Sequence, residues 1–405
     1  MTMPSFHDIH PARGSAVFAA LLLGAAVTAS PTTPLHAQSV FNAAGLGVPT
    51  EALDGRSRAL GSLGIGLPGG AFMPTDPGAI GRLRVATGVV ATQPAWLEYS
   101  TEDGESGSFQ TSRFPLLGVA YPLLGGMGSV QIGSFLDQNY RDERIGSVEL
   151  STGSLPFTDE FEQDGSVSRL NLGYSRMFGE DLSVGLVVGR YAGSVVRNLT
   201  RTYGGAAVAG DLDSYVEEGR WAYEGYHVTT GVSADLNERI HLAASVQVPT
   251  ALDANASDET DGSDRSFDLP VQYRAGASAR VGGGLLVAAS FVLADWSVTE
   301  DDLVGSSRAG DANGFGMGLE LTRARLFGMD APLRFGFRQS NLPFSFEEGD
   351  VEERIFSGGL GLSLNQGQET ILASMDVALE RGRRSGLGVS EDFWRLTLSF
   401  QAAGF

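Results

Sequence analysis

Polar and apolar residues alternate along most of this chain. In Phe393-Trp394-Arg395-Leu396-Thr397-Leu398-Ser399-Phe400-Gln401, the residues Trp394, Leu396, Leu398 and Phe400 fall on one side. Arg395, Thr397, Ser399 and Gln401 fall on the other. Successive side chains of a strand point to opposite faces, so such a segment has one oily side and one wet side. Ile240, Leu242, Ala244, Val246 and Val248 likewise oppose His241, Ala243, Ser245 and Gln247. Ile371, Ala373, Met375, Val377 and Leu379 oppose Ser374, Asp376 and Glu380. The pattern predicts fourteen strands, over 84–102, 109–121, 127–140, 166–178, 182–197, 220–235, 239–248, 266–280, 285–298, 309–325, 333–340, 351–364, 370–383 and 390–401.

The connections alternate in length. Tight ones fall at 122–126, 179–181, 236–238, 281–284, 326–332 and 365–369. Longer polar ones fall at 103–108, 141–165, 198–219, 249–265, 299–308, 341–350 and 384–389. Outer-membrane barrels have short periplasmic turns and longer outer loops, whereas a soluble sandwich has no reason for such alternation. Buried ions are costly when unpaired, so Asp376, Glu380, Arg334, Arg338 and Arg395 require a wet or paired lumen. Trp96, Tyr99, Trp221, Trp296 and Trp394 lie near strand ends, as an aromatic girdle requires. The fold class expected is all-β: a transmembrane outer-membrane β-barrel of about 14 antiparallel strands with an N-terminal plug.

The first residues differ in kind. Arg13 precedes a short apolar run from Ser15 to Val27, and Leu35-His36-Ala37 follows small residues and prolines. This reads as a signal peptide over 1–37, cleaved after Ala37. The run is shorter than the roughly 20 residues a membrane helix needs. Residues 38–83 are rich in Gly and Pro and carry no strand pattern, so they are expected to form the plug. Irregular backbone is tolerated at membrane depth when protein surrounds it. The barrel would then occupy 84–405.

Composition sharpens this picture. Gly 55 is high for soluble sheets, where glycine weakens strands, but suits a curved barrel. The formal net charge of −20 excludes a nucleic-acid partner. Every basic residue is Arg, and there is no Cys, hence no disulfide, lipid anchor or thiolate metal site. Such barrels commonly end on an aromatic residue. Phe405 is terminal but out of phase, and Phe400 is the aromatic in phase.

Three stretches resemble the FadL-type family of outer-membrane transporters. The first is Arg56-Ser57-Arg58-Ala59-Leu60-Gly61-Ser62-Leu63-Gly64 with Ala71-Phe72 and the turn Thr75-Asp76-Pro77-Gly78-Ala79-Ile80. The second is Leu269-Pro270-Val271-Gln272-Tyr273-Arg274-Ala275-Gly276 followed by Ala294-Asp295-Trp296-Ser297. The third joins Leu333-Arg334-Phe335-Gly336-Phe337-Arg338, Gly358-Gly359-Leu360-Gly361 and Asp376-Val377-Ala378-Leu379-Glu380. The resemblance implies a plugged fourteen-stranded barrel that passes fatty acids or aromatic hydrocarbons toward a side opening at a kinked strand. Gly133 is the kink candidate; it is otherwise an ordinary barrel glycine.

Chemistry of other kinds finds little footing. Beyond the leader the only histidines are His227 and His241, and neither sits in a nucleophile motif, so no catalytic residue is expected. Acidic runs such as Asp258-Glu259 and Glu300-Asp301-Asp302 have no calcium-loop spacing and read as solvated loops; neither metal nor cofactor is expected. Leu67, Pro68, Phe72 and Met73 in the plug, with Phe135 beside Gly133, either line an apolar ligand site or simply pack the plug. The function expected is passive uptake of hydrophobic small molecules, with outer-membrane lipid and lipopolysaccharide around the barrel. Two alternatives stay open: an envelope accessory barrel that holds a protein partner, and a general porin.

Overall fold

The computed structural model describes residues 39–102, 104–150, 153–204, 214–260, 262–303, 307–326, 328–346, 349–364, 373–386 and 388–404. The expected leader, 1–37, and Phe405 lie outside the described residues.

Fourteen strands close on themselves. They are β1 (Thr87–Thr101), β2 (Ser106–Leu123), β3 (Gly126–Asp137), β4 (Gly153–Phe178), β5 (Leu182–Tyr203), β6 (Tyr215–Asp235) and β7 (Ile240–Pro249). They continue as β8 (Gln272–Val281), β9 (Leu285–Ala294), β10 (Gly314–Leu321), β11 (Leu333–Leu342), β12 (Val351–Ser363), β13 (Ala373–Gly386) and β14 (Val389–Ala403). Each pairs antiparallel with the next. β14 returns to β1 with Trp394 opposite Trp96, which completes the barrel. Closure leaves no edge strand, the condition for strands to stand in hydrocarbon.

Alternation assigns the two faces. Val130, Leu172, Leu186, Phe291, Phe335 and Phe356 stand exposed on the outside, while Gln131, Asn171, Gln247, Ser290 and Thr397 are buried inside. An exposed apolar belt of this extent is a lipid-facing surface, since soluble monomers rarely carry one. At the short-turn end, Leu124 and Gly125 both have positive φ, the backbone of a two-residue hairpin turn.

The segment from Ser39 to Arg84 fills the lumen. Asp54 caps a helix, α1 (Gly55–Ala59), by accepting from the Ser57 N–H at 2.7 Å. Asp76 caps α2 (Pro77–Ile80) by accepting from the Ala79 N–H at 3.2 Å. Wall hydroxyls satisfy the irregular backbone between them. Ser399 Oγ accepts from Gly55 N–H at 2.9 Å and Ser290 Oγ from Leu63 N–H at 3.0 Å. Ser245 donates to Thr75 O at 2.6 Å and Ser175 to Pro77 O at 2.7 Å.

Much of the glycine content is explained here. A Cβ on Gly276 would stand 2.7 Å from Ile65 O, and one on Gly336 would collide with the backbone of Leu60 and Gly61. The wall is smooth where the plug lies against it, because only glycine permits so close an approach of two backbones.

Three expectations are corrected. The connection read as a loop over 141–165 is a ribbon: Tyr140–Leu150 pairs antiparallel with the outer half of β4. In the 249–265 connection, Leu252–Ala256 pairs with β6. Trp296 does not belong to an outer girdle. It opens a 3-10 turn, Trp296–Asp302, that Asp295 caps, and its ring is buried against Phe344. Trp96 and Trp394 do stand exposed on the outside.

Candidate functional site

Among the described residues the wall is interrupted between β2 and β3. Pairing between β2 and β3 runs from Leu123 opposite Gly126 to Leu116 opposite Gly133, and stops there. Above it β2 continues through Pro115, which has no N–H to offer a partner. The β1–β2 register shifts at the same level, between Ala91 and Gln93. On β3 the register with β4 shifts between Ser134 and Leu136. These bulges bend the two strands apart. A slit of about 160 Å³ results, lined by Thr50, Ser112, Arg113, Ser134, Leu136, Asp137, Asn139, Ser166, Val167 and Ser168.

The plug takes the missing strand's place. Val48 lies opposite Asp137 and Pro49 opposite Leu136 in antiparallel register. Thr50 N–H donates to Phe135 O at 2.7 Å. The edge of β3 that the slit exposes is thus covered from inside, as buried backbone requires.

Behind the slit lies a luminal cavity of about 100 Å³, with Thr50 and Arg113 lining both spaces. Six arginines line it: Arg58, Arg113, Arg169, Arg338, Arg384 and Arg395; Glu51 and Glu353 are the lining carboxylates. Arg384 donates to Glu353 at 2.8 Å and to Glu391 at 2.7 Å. Glu380 sits 3.2 Å from Arg338, 3.5 Å from Arg395 and 3.9 Å from Arg58. Arg274 donates to Glu51 at 2.9 Å, and Arg113 lies 3.5 Å from Asp137. Seven arginines therefore meet five carboxylates, an excess of two positive charges. Nε of Arg58, Arg169 and Arg395 and Nη1 of Arg338 are buried without a hydrogen-bond partner. Buried donors of this kind favour an anion. Arg169 has its guanidinium 4.2 Å from the centre of the Phe135 ring, which in turn stacks on Tyr191 at 4.5 Å.

The sequence-predicted residues separate into two groups. Phe135 lines the cavity, together with Trp296, Val292 and Leu63. Leu67 and Met73 pack with Leu60, Ala79 and Ala288, and Phe72 packs with Ala52, Ile80 and Leu116. Pro68 is buried, and its carbonyl accepts from Arg56 at 3.0 Å. None of these four lines the cavity. Gly133 lies two residues before the bulged Phe135, and a Cβ there would stand 2.6 Å from the Ala52 methyl. His227 faces Asn171 at 3.1 Å, and His241 faces Asp235 at 2.7 Å. Alternation had put Arg338 and Arg395 inside; their convergence with Arg58 and Arg169 needed the closed register. Pro115, in mid-strand, was the unread signal for the slit.

No protein-family model and no curated protein matches this sequence. Solved structures match over nearly their whole length. A Pseudomonas aeruginosa FadL homologue shares 12% identity with a TM-score of 0.62, covering 89% of this chain and 100% of that one. The Pseudomonas putida toluene transporter TodX shares 14% identity at a TM-score of 0.56, covering 87% and 99%. The CymD monoaromatic hydrocarbon channel shares 14% at a TM-score of 0.53, covering 88% and 98%. The chain has the fold of these channels, a fourteen-stranded antiparallel barrel.

Proposed function

We propose that this chain is a FadL-type outer-membrane channel for passive uptake of hydrophobic small molecules, and that its ligands carry an acidic head. The lipid-facing belt, the short turns at one end and the long connections at the other support outer-membrane placement. The observation that carries the reading is the pairing of Val48–Pro49 on β3 at the slit. Ligand enters from the long-loop end. Its head settles among the unpartnered arginine donors, and its tail lies on Phe135 and Trp296. It leaves sideways when residues 48–50 release β3, which requires breaking only a few backbone bonds.

The excess of arginine favours fatty-acid-like ligands over neutral aromatic ones. A carboxylate meets charge-assisted donors there, whereas toluene would leave them unsatisfied. A general porin fits poorly with a lumen filled by 39–84.

The absence of native cysteine makes a direct test available. Pro49 and Leu136 are directly opposite, within reach of a disulfide. A Pro49→Cys/Leu136→Cys variant should lose uptake of a long-chain fatty acid on oxidation and regain it on reduction. Full uptake in the oxidised form would refute the lateral route. Arg169→Leu should weaken fatty-acid uptake and leave toluene uptake unchanged.

A further inference from the structure

We propose that the outward face of β12 and β13 binds the phosphate of a phosphorylated glycolipid in the outer leaflet. The proposal rests on the outer-membrane placement argued above. Arg354 lies directly opposite Arg383 in the β12–β13 register. Both point outward, with side chains 59% and 60% exposed. Like charges directly opposite one another destabilise a sheet. Glu352 pairs with Arg354, and Asp392 stands opposite Arg383 at 3.9 Å without a hydrogen bond, so the pair is only partly offset within the wall and an anion between them would complete it.

Arg381 is two residues below Arg383 on the same face, so three arginines share one outward patch. Three acids share this outward face: Glu352, Asp392 and Glu98. Glu352 accepts from Arg354 at 2.7 Å and also bonds Gln339. Asp392 lies 3.8 Å from Arg381 and 3.9 Å from Arg383, beyond hydrogen-bond length. Glu98 stands opposite Asp392, on the far side from Arg354. Arg381 and Arg383 therefore share one carboxylate in long ion pairs that use none of their N–H groups, and phosphate suits the guanidinium fork.

The row beneath suits acyl chains. Phe337 is opposite Phe356, Phe356 opposite Arg381, Arg381 opposite Trp394, and Trp394 opposite Trp96. The Arg381 guanidinium lies 5.0 Å from the centre of the Trp394 ring. Phe356 is 65% exposed. The basic row stands on the long-loop side of the aromatic row, at the level where an outer-leaflet headgroup meets its acyl chains. The outward Arg190 on β5, by contrast, pairs with a single acid, Glu224, at 3.0 Å.

The test uses the full-length folded protein in nanodiscs, titrated with bis-phosphorylated lipid A and with the same lipid after phosphatase treatment. Native mass spectrometry reads retention, and tryptophan emission reports the contact beside Trp394. Wild type should retain the phosphorylated form at least about tenfold more tightly, a preference that weakens with salt. Arg354→Gln/Arg381→Gln/Arg383→Gln should remove the preference, and Arg190→Gln should keep it. Equal retention of both lipids by wild type, or an unchanged preference in the triple variant, overturns the site. Failure of the protein to insert into bilayers would instead overturn the membrane placement.

Discussion

The backbone N–H of Thr50 donates to the carbonyl of Phe135 at 2.7 Å, and through it a residue of the plug becomes part of the barrel wall. The bond joins the segment that fills the lumen to the edge of β3 that parts from β2. It also stands beside Phe135, the residue that carries Arg169.

Removing this donor tests the gate. Thr50→Pro deletes the N–H, while Pro49 before it is already extended in the short strand. One lost backbone bond costs about 1 kcal/mol, so the released state should be about fivefold more populated. Ligand uptake should rise several-fold. Uptake at the wild-type rate would mean that residues 48–50 do not limit passage.

The glycine seat of the plug predicts a position-specific effect. At Gly336 an added methyl meets backbone atoms of Leu60 and Gly61, which cannot rotate away. Gly336→Ala should cost about 1–3 kcal/mol, the usual range for overpacking. Gly282 has nothing within 4 Å, so Gly282→Ala should leave the thermal midpoint alone. Equal midpoints for the two variants would contradict a tightly seated plug.

Glu380 is 1% exposed and is shared by three arginines. Glu380→Gln leaves their charges poorly compensated, at a cost of about 3 kcal/mol or more. A medium-chain carboxylate added to the variant should recover part of that loss by occupying the cavity. Denaturation midpoints with and without octanoate measure it, and no recovery would argue against an anion site.

Acid should loosen the outer ribbon selectively. Asp159 on β4 accepts from Arg201 on β5 at 2.5 and 2.7 Å, about ten residues beyond the apolar belt. The hydrogen bond from Arg201 holds its carboxyl below the usual carboxylate range. A depressed folded-state value means that the stabilisation is present above the ordinary value near 3.8 and lost as pH falls through the lowered one. Hydrogen exchange in 153–163 and 197–203 should accelerate below about pH 3.8, while the barrel belt stays protected. Asp159→Asn should exchange fast at every pH.

Strand number, the two faces and the alternation of short and long connections were legible because a strand repeats every two residues, and that period is visible without knowing partners. The ribbon of Tyr140–Leu150 was missed because its charged run Arg141-Asp142-Glu143-Arg144 looks like a loop when pairing is unknown. Trp296 misled for a related reason: its position at a strand end was clear, but the turn that carries it inward was not.

The chain's own pattern determined a plugged barrel with an oily outside and polar inside, since each residue's face follows from its place in a two-residue period. Only closure of the sheet decided that β2 and β3 part above Gly133, that Val48 and Pro49 cover the gap, and that arginines from five strands and the plug surround one cavity. Those contacts join residues from tens to hundreds of positions apart, and their geometry depends on register and bulges that no local pattern encodes.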